Sequence, residues 1–192
     1  MTLTLQSDSV VRSPRLMLGF SATDLIVARP EVVIAVDLSN RFGVSLNTGY
    51  DHFKRTRVRN LEKSNVRGPY VLLGLNCDLH ASDNFALWMG VQGGLSWFTH
   101  DFVIRVPGYY RDYVESDRVQ AGVSALSVST GPKFRTSWGA IVLGATVNFW
   151  KAREDRLAAE ANFYVPGVGS KLFPNSAGYS IQGLTTILWR IR

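Results

Sequence analysis

From Phe85 to Trp97 every second residue (Phe85, Leu87, Met89, Val91, Leu95, Trp97) is large and apolar, with Gly93 the one gap. The residues between them are Ala86, Trp88, Gly90, Gln92, Gly94 and Ser96. A period of two means an extended chain with two unlike faces. In a half-buried soluble strand the second face carries Lys, Glu, Arg and Thr, because it meets bulk water. Here that face is small, polar and almost uncharged. Such a texture suits the inside of a narrow closed barrel whose outside is greasy, as in a transmembrane β-barrel.

The same alternation returns along the chain. The apolar sets are Leu16, Leu18, Phe20; Val32, Ile34, Val36, Leu38; and Phe42, Val44, Leu46, Thr48, Tyr50. They continue with Val71, Leu73, Leu75, Cys77, Leu79; Ile141, Leu143, Ala145, Val147, Phe149; and Tyr179, Ile181, Thr185, Ile187, Trp189, Ile191. Residues 119–134 break phase: Val119, Ala121 and Val123 sit on odd positions, then Leu126, Val128 and Phe134 on even ones. That shift predicts a bulge near Ala125, with Pro132 placed where no ladder hydrogen bond is needed. The count is eight strands, an all-β, antiparallel, up-and-down transmembrane β-barrel over 15–192 preceded by a periplasmic segment, 1–14.

Composition fits this reading. No run of about 18 apolar residues exists, which excludes a transmembrane helix, and mean hydropathy is only +0.03, as expected when alternate residues face lipid. Aromatics fall near strand ends (Phe42, Tyr50, Tyr70, Phe85, Trp97, Trp138, Phe149, Tyr179, Trp189), where a membrane interface favours them. Connections alternate in length. Residues 39–41, 80–84 and 135–139 are short links; 54–67, 105–118 and 151–176 are long, with a modest 23–30 for the first. Outer-membrane barrels have short periplasmic turns and long external loops, so both termini are expected in the periplasm. Met1–Val10 has neither the basic start nor the apolar run of a secretion signal. Export therefore calls for a leader that was trimmed, replaced or missed upstream. The single Cys77 lies on the predicted lipid face and reads as a small hydrophobe.

The net charge of +6 is concentrated. Lys54, Arg55, Arg57, Arg59, Lys63 and Arg67 surround one acid, Glu62. The functional reading is a contact patch for lipopolysaccharide phosphates or an acidic partner; the alternative is an ordinary solvated charged loop. A nucleic-acid role is not expected, since the segment lacks interleaved aromatics and a recognised module. Tyr109, Tyr110 and Tyr113 supply a second contact segment. Inside, Asp37, Asn47, Asp51, Asn76, Asp78, Gln92, Lys133, Asn148, Gln182 and Arg190 are expected to line a hydrogen-bonded lumen, with Lys133 and Arg190 offsetting the acids.

Catalytic chemistry has few candidates. His52 beside Asp51, and His100 with Asp101 and Ser96, could serve a lipid-modifying enzyme of the Ser–His–acid kind. Sequence neighbours on a strand point to opposite faces, so Asp51 and His52 cannot pair directly. Metal clusters, phosphate loops and cysteine pairs are lacking, and no cofactor is expected. Gly167 and Gly169 read as a turn.

The opening Arg15-Leu-Met-Leu-Gly-Phe-Ser-Ala-Thr-Asp-Leu25, the segment Met89-Gly-Val-Gln-Gly-Gly-Leu-Ser-Trp-Phe98 and the late Asn162-Phe-Tyr-Val-Pro-Gly-Val-Gly169 carry a resemblance. Over roughly 15–190 the chain resembles a family of small outer-membrane barrels from Bacteroidota known only as a domain of unknown function. The resemblance implies the barrel and its outer-membrane location, and transfers no catalytic residue. The function expected is a non-enzymatic structural or accessory component of a larger outer-membrane assembly. It would act through its external loops on lipid, lipopolysaccharide, other outer-membrane proteins or lipoproteins. The alternatives are a lipid-modifying enzyme and a soluble lipocalin-like binding barrel, whose apolar faces would point inward.

Overall fold

A computed structural model describes residues 14–23, 29–58, 61–106, 108–109, 111–152, 164–170 and 178–191. The strands are β1 (Arg15–Ser21), β2 (Glu31–Asp37), β3 (Phe42–Val58), β4 (Leu61–Ala81), β5 (Phe85–Val106), β6 (Tyr113–Arg135), β7 (Gly139–Ala152), β8 (Tyr164–Val165), β9 (Gly169–Ser170) and β10 (Gly178–Arg190). Strands β1 to β7 pair in chain order, each antiparallel to the next, and β10 closes the ring between β7 and β1. The ring holds eight strands, with β8–β9 a separate hairpin. Closure leaves the shared stretches of these strands without an unpaired edge.

The two faces separate as the alternation demands. Met17, Val33, Ala35, Ser45, Asn47, Trp88, Ser127, Ser129, Thr146 and Asn148 are buried inside. Leu16, Leu18, Val32, Ile34, Leu73, Leu75, Val91, Leu95, Val128 and Ile181 are exposed outside. The large apolar side chains thus face outward, the reverse of a soluble ligand-binding barrel. Aromatics collect at the turn end of the outer surface. Phe85 meets Phe134 edge-on at 5.7 Å, and Trp189 lies 5.3 Å from Phe20 and 6.1 Å from Trp138. Tyr50, Trp97 and Phe149 are exposed toward the other end.

Two sequence expectations are corrected. The segments 54–67 and 105–118 are mostly paired strand rather than loop. Lys54 pairs with Asn65 and Arg105 with Val114. β2 stops pairing with β3 at Gly49, and β7 stops pairing with β6 at Val123. The far ends of β3–β6 therefore project beyond the ring as a four-stranded sheet. Its outer face meets water, so alternate Lys and Arg are ordinary strand residues there. Of the segment 151–176, only Lys151, Ala152 and 164–170 fall within the described residues.

The bulge expected near Ala125 is also absent, because β6 keeps one register against β5 throughout. Val123 and Ala125 face inward and are buried. Apolar residues occupy the inner face here because it packs on the β8–β9 hairpin instead of a wet lumen. Register shifts occur instead in β4 against β5, at Leu61/Lys63 and Asp78/His80. Pro132 does sit at a break, since the β6–β7 ladder skips from Thr130–Ala145 to Lys133–Val142.

Candidate functional site: a plugged lumen and a basic outer face

The lumen is divided along its axis. At the turn end a vestibule of 340 Å³ is lined by Arg15, Asp37, Lys133, Arg135 and Arg190 together with residues of the three short turns. Buried Asp78 binds Arg135 and lies 3.5 Å from Lys133, whose Nζ is also 3.5 Å from Asp37. Arg135 further donates to the carbonyls of Ser82 (3.1 Å) and Asn40 (3.4 Å), tying neighbouring turns together. Above this lies an apolar waist of Met17, Val33, Ala35, Trp88, Ala140, Val142 and Leu188. The cavity at that level is only 80 Å³. Eight strands enclose little more room than their own side chains need, and here those chains leave only this narrow space.

Beyond the waist a chamber of 350 Å³ opens, lined by Arg29, Glu31, Asn47, Asp51, Tyr70, Gln92, Asn148 and Gln182 among others. Glu31 accepts from Asn47 Nδ2 (3.1 Å) and the Tyr70 hydroxyl (2.6 Å). Ser127 donates to Asn148 Oδ1 at 2.5 Å, and Asn148 Nδ2 reaches Gln182 Oε1 at 3.2 Å.

The β8–β9 hairpin roofs the chamber. Pro166 and Gly167 take the corner positions of a β-turn closed by Val168 N–H to Val165 C=O at 3.0 Å, and Gly167 has φ +72°. Proline followed by a positive-φ glycine is the signature of a type II turn. Tyr164, Val165 and Val168 are buried against Val66, Phe98, Ala121, Val123, Ala125 and Trp150. Buried Asp51 accepts from the Tyr164 hydroxyl and from Gly167 N–H (2.9 Å). Arg29 donates to the Tyr164 hydroxyl at 2.7 Å and lies 4.9 Å from the centroid of its ring. Asn148 and Ser180 both donate to the Val168 carbonyl.

The lumen residues read from the sequence mostly meet here. Asp37, Asn76, Asp78 and Lys133 line the waist or its turn side; Asn47, Asp51, Gln92, Asn148 and Gln182 line the chamber. Arg190 is exposed at the vestibule's open end. Glu31, Tyr70, Arg29 and Arg135 were missed. Glu31 preceded the first apolar alternation of its strand, Tyr70 looked like a membrane anchor, and the two arginines fell in apparent links.

Among the contact candidates, Lys54, Lys63 and Arg67 are exposed on the projecting sheet, Tyr109 is 95% exposed, and Tyr113 starts β6 half exposed. Arg55 and Arg57 belong to β3, but their side chains lie outside the described residues, as do Arg59 and Tyr110 altogether. Asp101 bridges Arg67 (3.8 Å) and Arg118, and Glu62 pairs with Arg105 at 2.6 Å. Among the described residues Lys54 and Lys63 have no acidic partner, so this face keeps a cationic surplus.

The catalytic candidates do not assemble. His52 faces outward to Asn65 (2.8 Å), whereas Asp51 is buried under the hairpin. His100 points inward to Ser64 Oγ at 2.8 Å, and Asp101 lies on the opposite face with Arg67 and Arg118. Burial lowers the His100 pKa from 6.5 to about 4, although Asp101 acts to raise it. In unfolded chain the imidazole takes a proton near pH 6.5; in the folded sheet it resists until about pH 4. Stability of the projecting sheet therefore falls as pH drops through that interval, by up to about 3 kcal/mol. His100→Gln should flatten the pH dependence of urea unfolding between pH 7 and 4. An unchanged slope would mean the ring is not the group that titrates.

No protein-family model matches the chain, and no curated protein matches it either.

Proposed function

We propose that this chain is a transmembrane barrel of the bacterial outer membrane that works by contact rather than catalysis. Its projecting sheet holds the phosphates of lipopolysaccharide, or an equivalent acidic face on a neighbouring outer-membrane protein or lipoprotein. The carrying observation is the exposed apolar belt, which runs round the ring between two sets of aromatics. On β5 the belt extends from Phe85 to Trp97, which at the tilt usual in such barrels is about 30 Å tall. In water this would be an apolar patch far larger than soluble monomers tolerate. The narrow apolar waist argues against a pore, and the cationic surplus above the belt favours a polyanion.

The test has two parts. The protein should stay with the outer-membrane fraction and need detergent for extraction; recovery in the soluble fraction would end the membrane reading. In extracted protein, Lys54→Gln, Lys63→Gln and Arg67→Gln together should weaken lipopolysaccharide binding, each cation contributing about 1 kcal/mol against an anionic surface. The difference should shrink with salt, since exposed pairs are screened over about 8–10 Å. Equal binding by the triple variant would remove the polyanion role.

A further inference from the structure

We infer that the chamber beneath the hairpin is a binding site for a single-chain amphiphile with an uncharged, hydroxyl-bearing head, reached sideways past the edge of β10. The route rests on the membrane reading; the site itself does not. β1 stops at Ser21, opposite Thr186. β10 continues from there to Gly178, paired to β7 alone. Among the described residues, no strand pairs with that stretch of β10 on its β1 side.

The cavity shows what this gap does. Its wall includes Gln182 and Leu184 from the inner face of β10, and also Ile181 and Gly183 from the outer face. Alternate residues of a strand point to opposite sides, and we read a cavity bordered by both sets as one that opens at the strand's unpaired edge. Ile181 is 60% exposed, and a Cβ built on Gly183 would meet nothing within 4 Å. Among the described residues the chamber narrows to the waist below and is roofed by the hairpin above. Among the described residues, the side past Ile181 and Gly183 gives onto the apolar belt.

The head is read from the chamber's own polar atoms. Asn47 is 7% exposed, and its Nδ2 is committed to Glu31. That fixes Oδ1 as an acceptor, and this atom has no donor among the described residues. Thr23 Oγ1, which lines the same chamber, is also buried without a partner among the described residues. An unpaired acceptor and an unpaired hydroxyl lining one chamber are both complemented by hydroxyl groups, which donate and accept. Leu72 and Leu184 give the first carbons of a tail apolar contact. At 350 Å³ the chamber sits at the small end of ligand pockets, enough for a head and the start of a chain that leaves by the side.

The folded protein, extracted in detergent, is examined by native mass spectrometry with monododecanoylglycerol as probe and dodecane as control. A one-to-one adduct with the glycerol ester and none with dodecane is expected. Asn47→Leu and Thr23→Val should each lower occupancy about tenfold, and Gly183→Trp should slow loading, with heat-modifiable gel mobility reporting that every variant is folded. Equal occupancy in the wild type and all three folded variants would overturn the site, as would equal retention of dodecane. Asn47-dependent binding by a protein that needs no detergent would keep the site and remove the membrane route. No adduct with the glycerol ester in a wild-type protein that still needs detergent would remove the site and leave the membrane reading standing.

Discussion

Val91→Arg lowers the unfolding free energy of the barrel in lipid vesicles by about 2–4 kcal/mol, while Leu87→Arg costs visibly less. Both side chains stand on the outer face of β5 and are more than a third exposed. Val91 lies midway between Phe85 and Trp97, and Leu87 only two residues from Phe85. At the midplane a guanidinium has neither water nor an anionic partner; nearer the aromatic end it reaches the headgroups. This depth dependence distinguishes lipid from any other apolar surroundings. Leu143→Arg on the outer face of β7 extends the comparison to the other side of the ring. Urea titration in vesicles is the measurement. Equal, small costs at Val91 and Leu87 would mean the belt is covered by protein or exposed to water.

That belt was the most legible part of the sequence. Where both faces keep one environment along a strand, as in β5, period two reports the inside and outside directly. Legibility failed where an environment changed along one strand. On β6 the inner face passes from buried serines, Ser127 and Ser129, bonded to Asn148 and Thr146, to the hairpin contact at Val123 and Ala121. The polarity of the inner residues inverts without any shift in register, and the inversion imitates a bulge. On β3 and β4 the outer face passes from apolar to charged at Tyr50 and Arg67. Paired strand there read as loop. The chamber was half visible: its amides and Asp51 follow from alternation, but Glu31 and Tyr70 meet only through the β2–β3–β4 register. Nothing local in Tyr164–Gly169 tells that this turn folds back into the mouth. The partner of that turn is Asp51, more than a hundred residues earlier.

Gly167→Val releases the hairpin from the mouth yet leaves the barrel closed to ions. At φ +72° a β-branched residue is strained, and a Cβ there would stand 2.4 Å from the Tyr70 ring. Left-handed backbone and overpacking together cost about 2–5 kcal/mol, comparable with what Asp51, Arg29 and Asn148 contribute by holding the turn. The ring strands pair independently of β8–β9, so the loss is local. Protease should then cut within 164–170 in the variant but not in the wild type, with heat-modifiable mobility unchanged. In planar bilayers neither protein should pass current, because the waist around Trp88 lies below the hairpin and is closed by side chains of the ring itself. Trp88→Ala in the Gly167→Val background removes the largest of those side chains and should give the first measurable conductance. A steady current through the wild type, or through Gly167→Val alone, would show that the waist does not seal the lumen and would point to a pore. A double variant that stays folded, is cut by protease and remains silent would instead mean that Met17, Val142 and Leu188 close over the space that the indole leaves.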